Sequence, residues 1–97
     1  MTHPIITSSD ASGNVQTESN FGENHGQWVR RHFGEVVTAC EANEFPLGNE
    51  LCTEWYDGTP EHHAHCTPRN PGESDVEFRT RHFADTAVAM IEAPPVP

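Results

Sequence analysis

The chain has 97 residues, 34% of them hydrophobic, and a formal net charge of -10 from 15 acids against five bases. That length holds one domain over 1–97 with a small core and leaves no room for two independent ones. All the bases are arginines, and so thin a stock of cations excludes a reader of duplex nucleic acid or of an anionic membrane surface, which would work by neutralising phosphates.

No apolar run is long enough to span a bilayer. No basic-then-apolar segment follows Met1, and the three cysteines (Cys40, Cys52 and Cys66) are an odd number. The expectation is a cytoplasmic protein with reduced thiols, in which a Cys52–Cys66 disulfide is disfavoured.

The first predicted element is a strand from Ile5 to Ser9, turning through Asp10-Ala11-Ser12-Gly13-Asn14 into a second strand from Val15 to Glu18. Gly22 permits a sharp turn before a helix predicted from about Asn24 to Asn43. Asn24 and Gln27 are spaced as a capping box, and Glu23 sits where a negative charge suits the helix dipole. Phe33, Val36, Val37 and Cys40 form its apolar stripe, and Pro46 and Gly48 stop it. A second hairpin follows: a strand over Leu51–Tyr56, a turn at Asp57-Gly58, and a return over Glu61–Thr67. Ser74 and Glu77 then make a second capping box, opening a helix from Ser74 to about Glu92 with the stripe Phe83, Ala87, Met90 and Ile91. Pro94 and Pro95 end it.

The two halves are one unit written twice. With Thr17 over Thr67 and no gap, identity recurs at Asn20/Asn70, Gly22/Gly72, Glu23/Glu73, Arg31/Arg81, His32/His82, Phe33/Phe83 and Ala39/Ala89. Trp28/Phe78, Gln27/Glu77 and Glu35/Asp85 are chemically similar. Repeat one covers about 4–45, repeat two about 49–93, and 94–97 is a Pro-rich tail. The predicted fold is α+β: a tandem ββα-ββα repeat whose hairpins join edge to edge in a four-stranded antiparallel sheet, with two helices on one face and a pseudo-twofold axis between the copies. A lone hairpin and helix has too little core, so the copies share one.

Several residue groups are candidates for function. Cys52 and Cys66 across the second hairpin, with His63 and His65 nearby, are zinc-ligand types. Their spacing matches no common zinc module, and strand alternation puts His63 and His65 on one face with His62, Ala64 and Cys66 on the other. A ββα unit carrying histidines also resembles the metal-dependent HNH-type nuclease finger, with His63, Asn70 and His82 in the roles that resemblance implies. The first copy has no matching strand histidine, and the acidic charge opposes the substrate. Arg31, His32, Arg81 and His82, at the same register in both helices, would meet an anion or an acidic partner if the helices lie side by side. Against that, Arg31 with Glu35 and Arg81 with Asp85 have ion-pair spacing. Trp55 and Tyr56 are adjacent on a strand, so one points away from the helices, towards an uncovered sheet face suited to a protein partner or to self-association. No nucleophile elbow or phosphate loop is present. The expected function is a non-enzymatic protein-interaction module with no cofactor. The alternative is a zinc-binding protein using the Cys/His hairpin, and an HNH-like nuclease is the remote enzyme alternative.

Overall fold

The computed structural model describes residues 4–10, 13–56 and 63–92. The Asp57-Gly58 turn, Ala11, Ser12, Glu61, His62, the Ile91 side chain and the 94–97 tail lie outside the described residues. The chain runs β1 (Ile5–Asp10), β2 (Gly13–Glu18), α1 (His25–Glu41), β3 (Glu50–Tyr56), β4 (His63–Pro68) and α2 (Asp75–Glu92). This is the ββα-ββα order expected from the repeat. The strands form one antiparallel sheet in the order β2-β1-β3-β4, so the two hairpins meet through β1 and β3.

The register locates the symmetry. Thr17 lies opposite Ile6, and its counterpart Thr67 lies opposite Leu51. Ile6 therefore corresponds to Leu51, and Ser8 to Thr53. Ser8 and Thr53 are also direct partners across β1 and β3, so the pseudo-twofold axis passes between them, normal to the sheet. Equivalent residues stand 45 apart on the inner strands (Ser8, Thr53) and 50 apart on the outer ones (Thr17, Thr67), which makes the second hairpin connection five residues longer.

Each helix begins through the same local device. Asn20 and Asn70 open four-residue turns closed by Glu23 N–H and Glu73 N–H onto their carbonyls, at 3.0 and 3.1 Å. Gly22 and Gly72 occupy the positive-φ corner at 83° and 77°, a conformation that strains any residue with a Cβ. Both capping boxes form. Asn24 and Gln27 exchange bonds of 2.8 and 3.0 Å, and Ser74 and Glu77 exchange bonds of 3.1 and 3.2 Å. At the other end, α1 stops before Pro46. Asn43 adopts φ 57°, and Glu44 N–H bonds back to the Ala39 carbonyl at 2.9 Å, a left-handed cap that asparagine tolerates.

Both helices cover the same face of the sheet, formed by Ile6, Ser8, Val15, Thr17, Leu51, Thr53, Trp55, His63, His65 and Thr67. The core divides into two apolar clusters. One joins Ile6, Trp28, Val29, Trp55 and Met90. The other joins Val36, Phe45, Leu51 and Phe78. Phe33 and Phe83, equivalent residues, stack at 4.4 Å between the helices. The buried stripe of α2 is Phe78, His82, Thr86 and Met90, and that of α1 includes Trp28, His32 and Val36. Phe33 and Phe83 are only half-buried, because each stripe is rotated about one residue from the expected position towards its histidine. Among the described residues no helix is long and apolar enough to cross a membrane.

Ser74 caps a helix whose first turn is exposed, so its loss is not compensated by packing. Ser74→Ala should lower unfolding free energy by about 1 kcal/mol, measured by denaturant titration, and Ser74→Asp should retain most of it.

Candidate functional site

Two sites stand out: a hydrogen-bonded chain inside the core, and a cysteine-bearing patch on the open face of the sheet.

The chain is laid out symmetrically about the axis. His32 and His82 are fully buried, as are Ser8, Thr53, Thr17 and Thr67. Thr17 Oγ1 lies 2.8 Å from His32 Nδ1, and His32 Nε2 lies 2.7 Å from Ser8 Oγ. Ser8 Oγ meets Thr53 Oγ1 at 2.7 Å on the axis. Thr53 Oγ1 meets His82 Nε2 at 2.7 Å, and His82 Nδ1 meets Thr67 Oγ1 at 2.8 Å. Each helix is thereby seated on both strands of its own hairpin through one imidazole. No buried side-chain polar atom among the described residues lacks a partner.

The proton positions follow from one acceptor. The Thr17 hydroxyl donates to Glu35 Oε1 at 2.6 Å, so the Thr17 oxygen must accept from His32 Nδ1–H. Neutral His32 then accepts at Nε2 from the Ser8 hydroxyl, and Ser8 accepts from Thr53. Thr53 accepts from His82 Nε2–H, and His82 Nδ1 accepts from Thr67. The two equivalent histidines hold opposite tautomers. Thr86 Oγ1, 3.3 Å from His82 Nε2, is a weaker second acceptor for the same N–H. Burial pushes both imidazoles down from 6.5 to about 4. The Arg31 charge assists at His32; at His82, His65 and His32 in their protonated forms and the Arg81 charge assist, against an opposing effect from Asp85.

Outside the core, Arg31 and Arg81 act as matched clamps. Arg31 grips both oxygens of Glu23 at 2.8 and 2.9 Å, bonds Glu35 at 3.0 Å, and donates to the Glu18 carbonyl at the end of β2. Arg81 grips Glu73 at 2.8 Å and donates to the Pro68 carbonyl at 2.7 Å. Each clamp ties helix, turn and outer strand together across eight residues, a longer reach than the i,i+4 pairing expected. The bidentate arginine holds the carboxyl of Glu23 down to about 2, and of Glu73 likewise, with backbone N–H groups adding to the effect.

On the open face of the sheet lie Ile5, Thr7 and Ser9 of β1, Asn14, Gln16 and Glu18 of β2, Glu50, Cys52, Glu54 and Tyr56 of β3, and Ala64, Cys66 and Pro68 of β4. Cys52 and Cys66 are register partners whose sulfurs are bonded, with Cα atoms 4.0 Å apart. The pairing disfavoured on grounds of compartment is thus the one that strand register makes immediate. Glu50, Cys52 and Cys66 offer ligand atoms within 4.8 Å of one another. Cys40, on α1, is the free thiol, and burial pushes its pKa up.

The sequence candidates are distributed differently from expectation. His63 and His65 face the helices, away from Cys52 and Cys66: His63 stacks on Trp55 at 5.4 Å and His65 on His82 at 5.9 Å. The four-residue Cys/His set is therefore corrected to Glu50, Cys52 and Cys66, because alternation along β4 sends the histidines through the sheet. Arg31, His32, Arg81 and His82 do not converge on an open anion site. The histidines are sealed in the core and the arginines are clamped by Glu23 and Glu73. In the HNH-like arrangement His82 would need a free nitrogen for metal, yet both are taken by hydroxyls. Trp55 is 4% exposed and belongs to the core, so of the adjacent aromatic pair only Tyr56 is on the open face. Sequence reasoning missed Ser8, Thr17, Thr53 and Thr67. The available signal was the recurrence of Thr17/Thr67 with His32/His82 at one offset.

Comparison with protein-family models, curated proteins and solved structures finds no match for the chain.

Two outcomes are expected. Imidazole nitrogen NMR at neutral pH should show His32 protonated at Nδ1 and His82 at Nε2; identical tautomers would contradict the proton order. Stability should fall as pH drops from about 6.5 to about 4, because the unfolded histidines take up protons that the folded ones refuse. Each histidine contributes on the order of 3 kcal/mol to that loss, which is complete below about 4. Glu23 and Glu73 add a separate loss from 4.5 down to about 2, where their folded carboxylates protonate. Proton uptake on unfolding near pH 5 should be about one lower in His82→Gln, measured from the pH dependence of denaturant midpoints.

Proposed function

We propose that the chain is a non-enzymatic binding module whose open sheet face receives a basic segment of a protein partner. The carrying observation is how the arginines are used. Arg31, Arg69, Arg79 and Arg81 each face a carboxylate of their own chain, at 2.7–3.9 Å. Four of the five arginines are thus engaged within the chain, Arg30 stays exposed on α1, and the net charge of -10 leaves carboxylates in large excess. The open face carries Glu18, Glu50 and Glu54, with Ile5 and Tyr56 adjacent as register partners, and the described strands place no arginine on it. Both helices lie on the opposite face. An acidic surface with an aromatic ring suits lysine and arginine side chains, whose stems cover apolar area while their heads meet carboxylates. The same charge opposes nucleic acid and anionic lipid.

The test is fluorescence anisotropy of a labelled oligoarginine peptide across a salt series. Neutralising Glu18, Glu50 and Glu54 together to glutamine should weaken binding about tenfold or more. Neutralising Glu41, Glu44 and Asp85, which removes equal charge from the helical side, should weaken it less than about threefold. Equal losses in the two variants would reduce the effect to net charge and overturn the assignment of the face.

A further inference from the structure

Glu50 and Cys52 lie two residues apart on β3 and therefore on the same open face, and Cys66 meets Cys52 from β4. Their ligand atoms all fall within 4.8 Å of one another. Two cysteine sulfurs and a carboxylate are a donor set for a soft, filled-shell divalent cation, with a fourth tetrahedral position left for water or a partner's side chain. The strands fix the two cysteines: Cys52 is paired on both sides, with Ser9 of β1 and Cys66 of β4, and Glu50 is paired with Pro68 of β4. A surface basin of about 520 Å³, lined by Ser9, Asp10, Gly48, Asn49, Glu50 and Cys52, opens beside Cys52. The surrounding charge is negative, with Glu54 two residues further along the same face.

The same two sulfurs are bonded to each other in this structure. A disulfide sulfur offers no thiolate, so cation binding and the disulfide exclude one another. We propose that Cys52, Cys66 and Glu50 form a thiolate site for a cation of the zinc class, open in the reduced chain and closed by the Cys52–Cys66 disulfide. Opening is thiol–disulfide exchange with a low-molecular-weight dithiol. Its two thiols lose two electrons and form their own disulfide, and Cys52 and Cys66 gain two electrons and two protons. The cation then displaces those two protons and binds two thiolates and the Glu50 carboxylate. Closing needs a low-molecular-weight disulfide: it takes two electrons from the bound thiolates, leaves as two thiolates, and frees the cation as Cys52 and Cys66 join. The site does not depend on the partner proposed for the same face.

Cadmium is the probe, because its bonds to thiolates produce an ultraviolet charge-transfer band. The full chain, reduced with a dithiol that is then removed under nitrogen, should show a band saturating at one cadmium per chain. The chain oxidised with a low-molecular-weight disulfide should show none, and reduction should restore it. Cys66→Ser should weaken binding about a hundredfold and Glu50→Gln about tenfold, while Cys40→Ser, His63→Asn and His65→Asn should leave it unchanged. Equal bands in oxidised and reduced wild type, or no band in the reduced chain, would overturn the proposal. Loss of the band in either histidine variant would overturn the donor set. The oxidised–reduced comparison needs no substitution, so it decides the question even where a variant fails to fold.

Discussion

The hydrogen bond between Ser8 and Thr53 is the joint on which the molecule is assembled. It is the only link that belongs to both copies in the chain running from Thr17 through His32, Ser8, Thr53 and His82 to Thr67. An imidazole or hydroxyl stranded in a core costs about 1–3 kcal/mol, so each member depends on its neighbours. A slip of one residue between β1 and β3 would send Ser8 or Thr53 to the open face and leave the histidines without partners. The polar chain thus enforces the register of the sheet and the seating of both helices.

This arrangement explains how a chain with few apolar residues holds a single shared core. Two apolar clusters lie to either side of the polar chain, and neither spans the sheet. Hydrophobic burial supplies cohesion but little direction, whereas the hydroxyl–imidazole contacts accept one geometry. The Arg31–Glu23 and Arg81–Glu73 clamps reinforce the same positions from outside, fixing each helix start against the end of its outer strand.

The helix-entry turns, the caps, the course of the strands and the repeat are legible because they rest on local rules. The first hairpin turn, by contrast, is tighter than expected, with Asp10, Gly13 and Asn14 in the strands. Asn24 with Gln27, Ser74 with Glu77, and the glycines at 22 and 72 each act within four residues. The core was less legible. Histidine, serine and threonine read as surface residues, so the apolar pattern points to a stripe through Phe33, Val36, Val37 and Cys40, one residue away from the buried His32. The Arg31–Glu23 contact was hidden for a related reason: it spans a turn and two helical turns, beyond the spacing that marks ion pairs on a helix. Strand alternation correctly separated Trp55 from Tyr56 and His63 from Cys66. It could not show which member of each pair the helices would cover.

The opposite tautomers of His32 and His82 bear on how such a molecule arises. A single ββα unit paired with its own copy would set two identical hydroxyls face to face on the axis. The one proton between them has no reason to choose a side, so such a homodimer would divide its time between two equivalent hydrogen-bond directions. Joining the units in one chain lets their sequences diverge, and Glu35 opposite the shorter Asp85 gives one end of the chain a preferred acceptor. Fusion thereby permits a proton order that strict symmetry forbids.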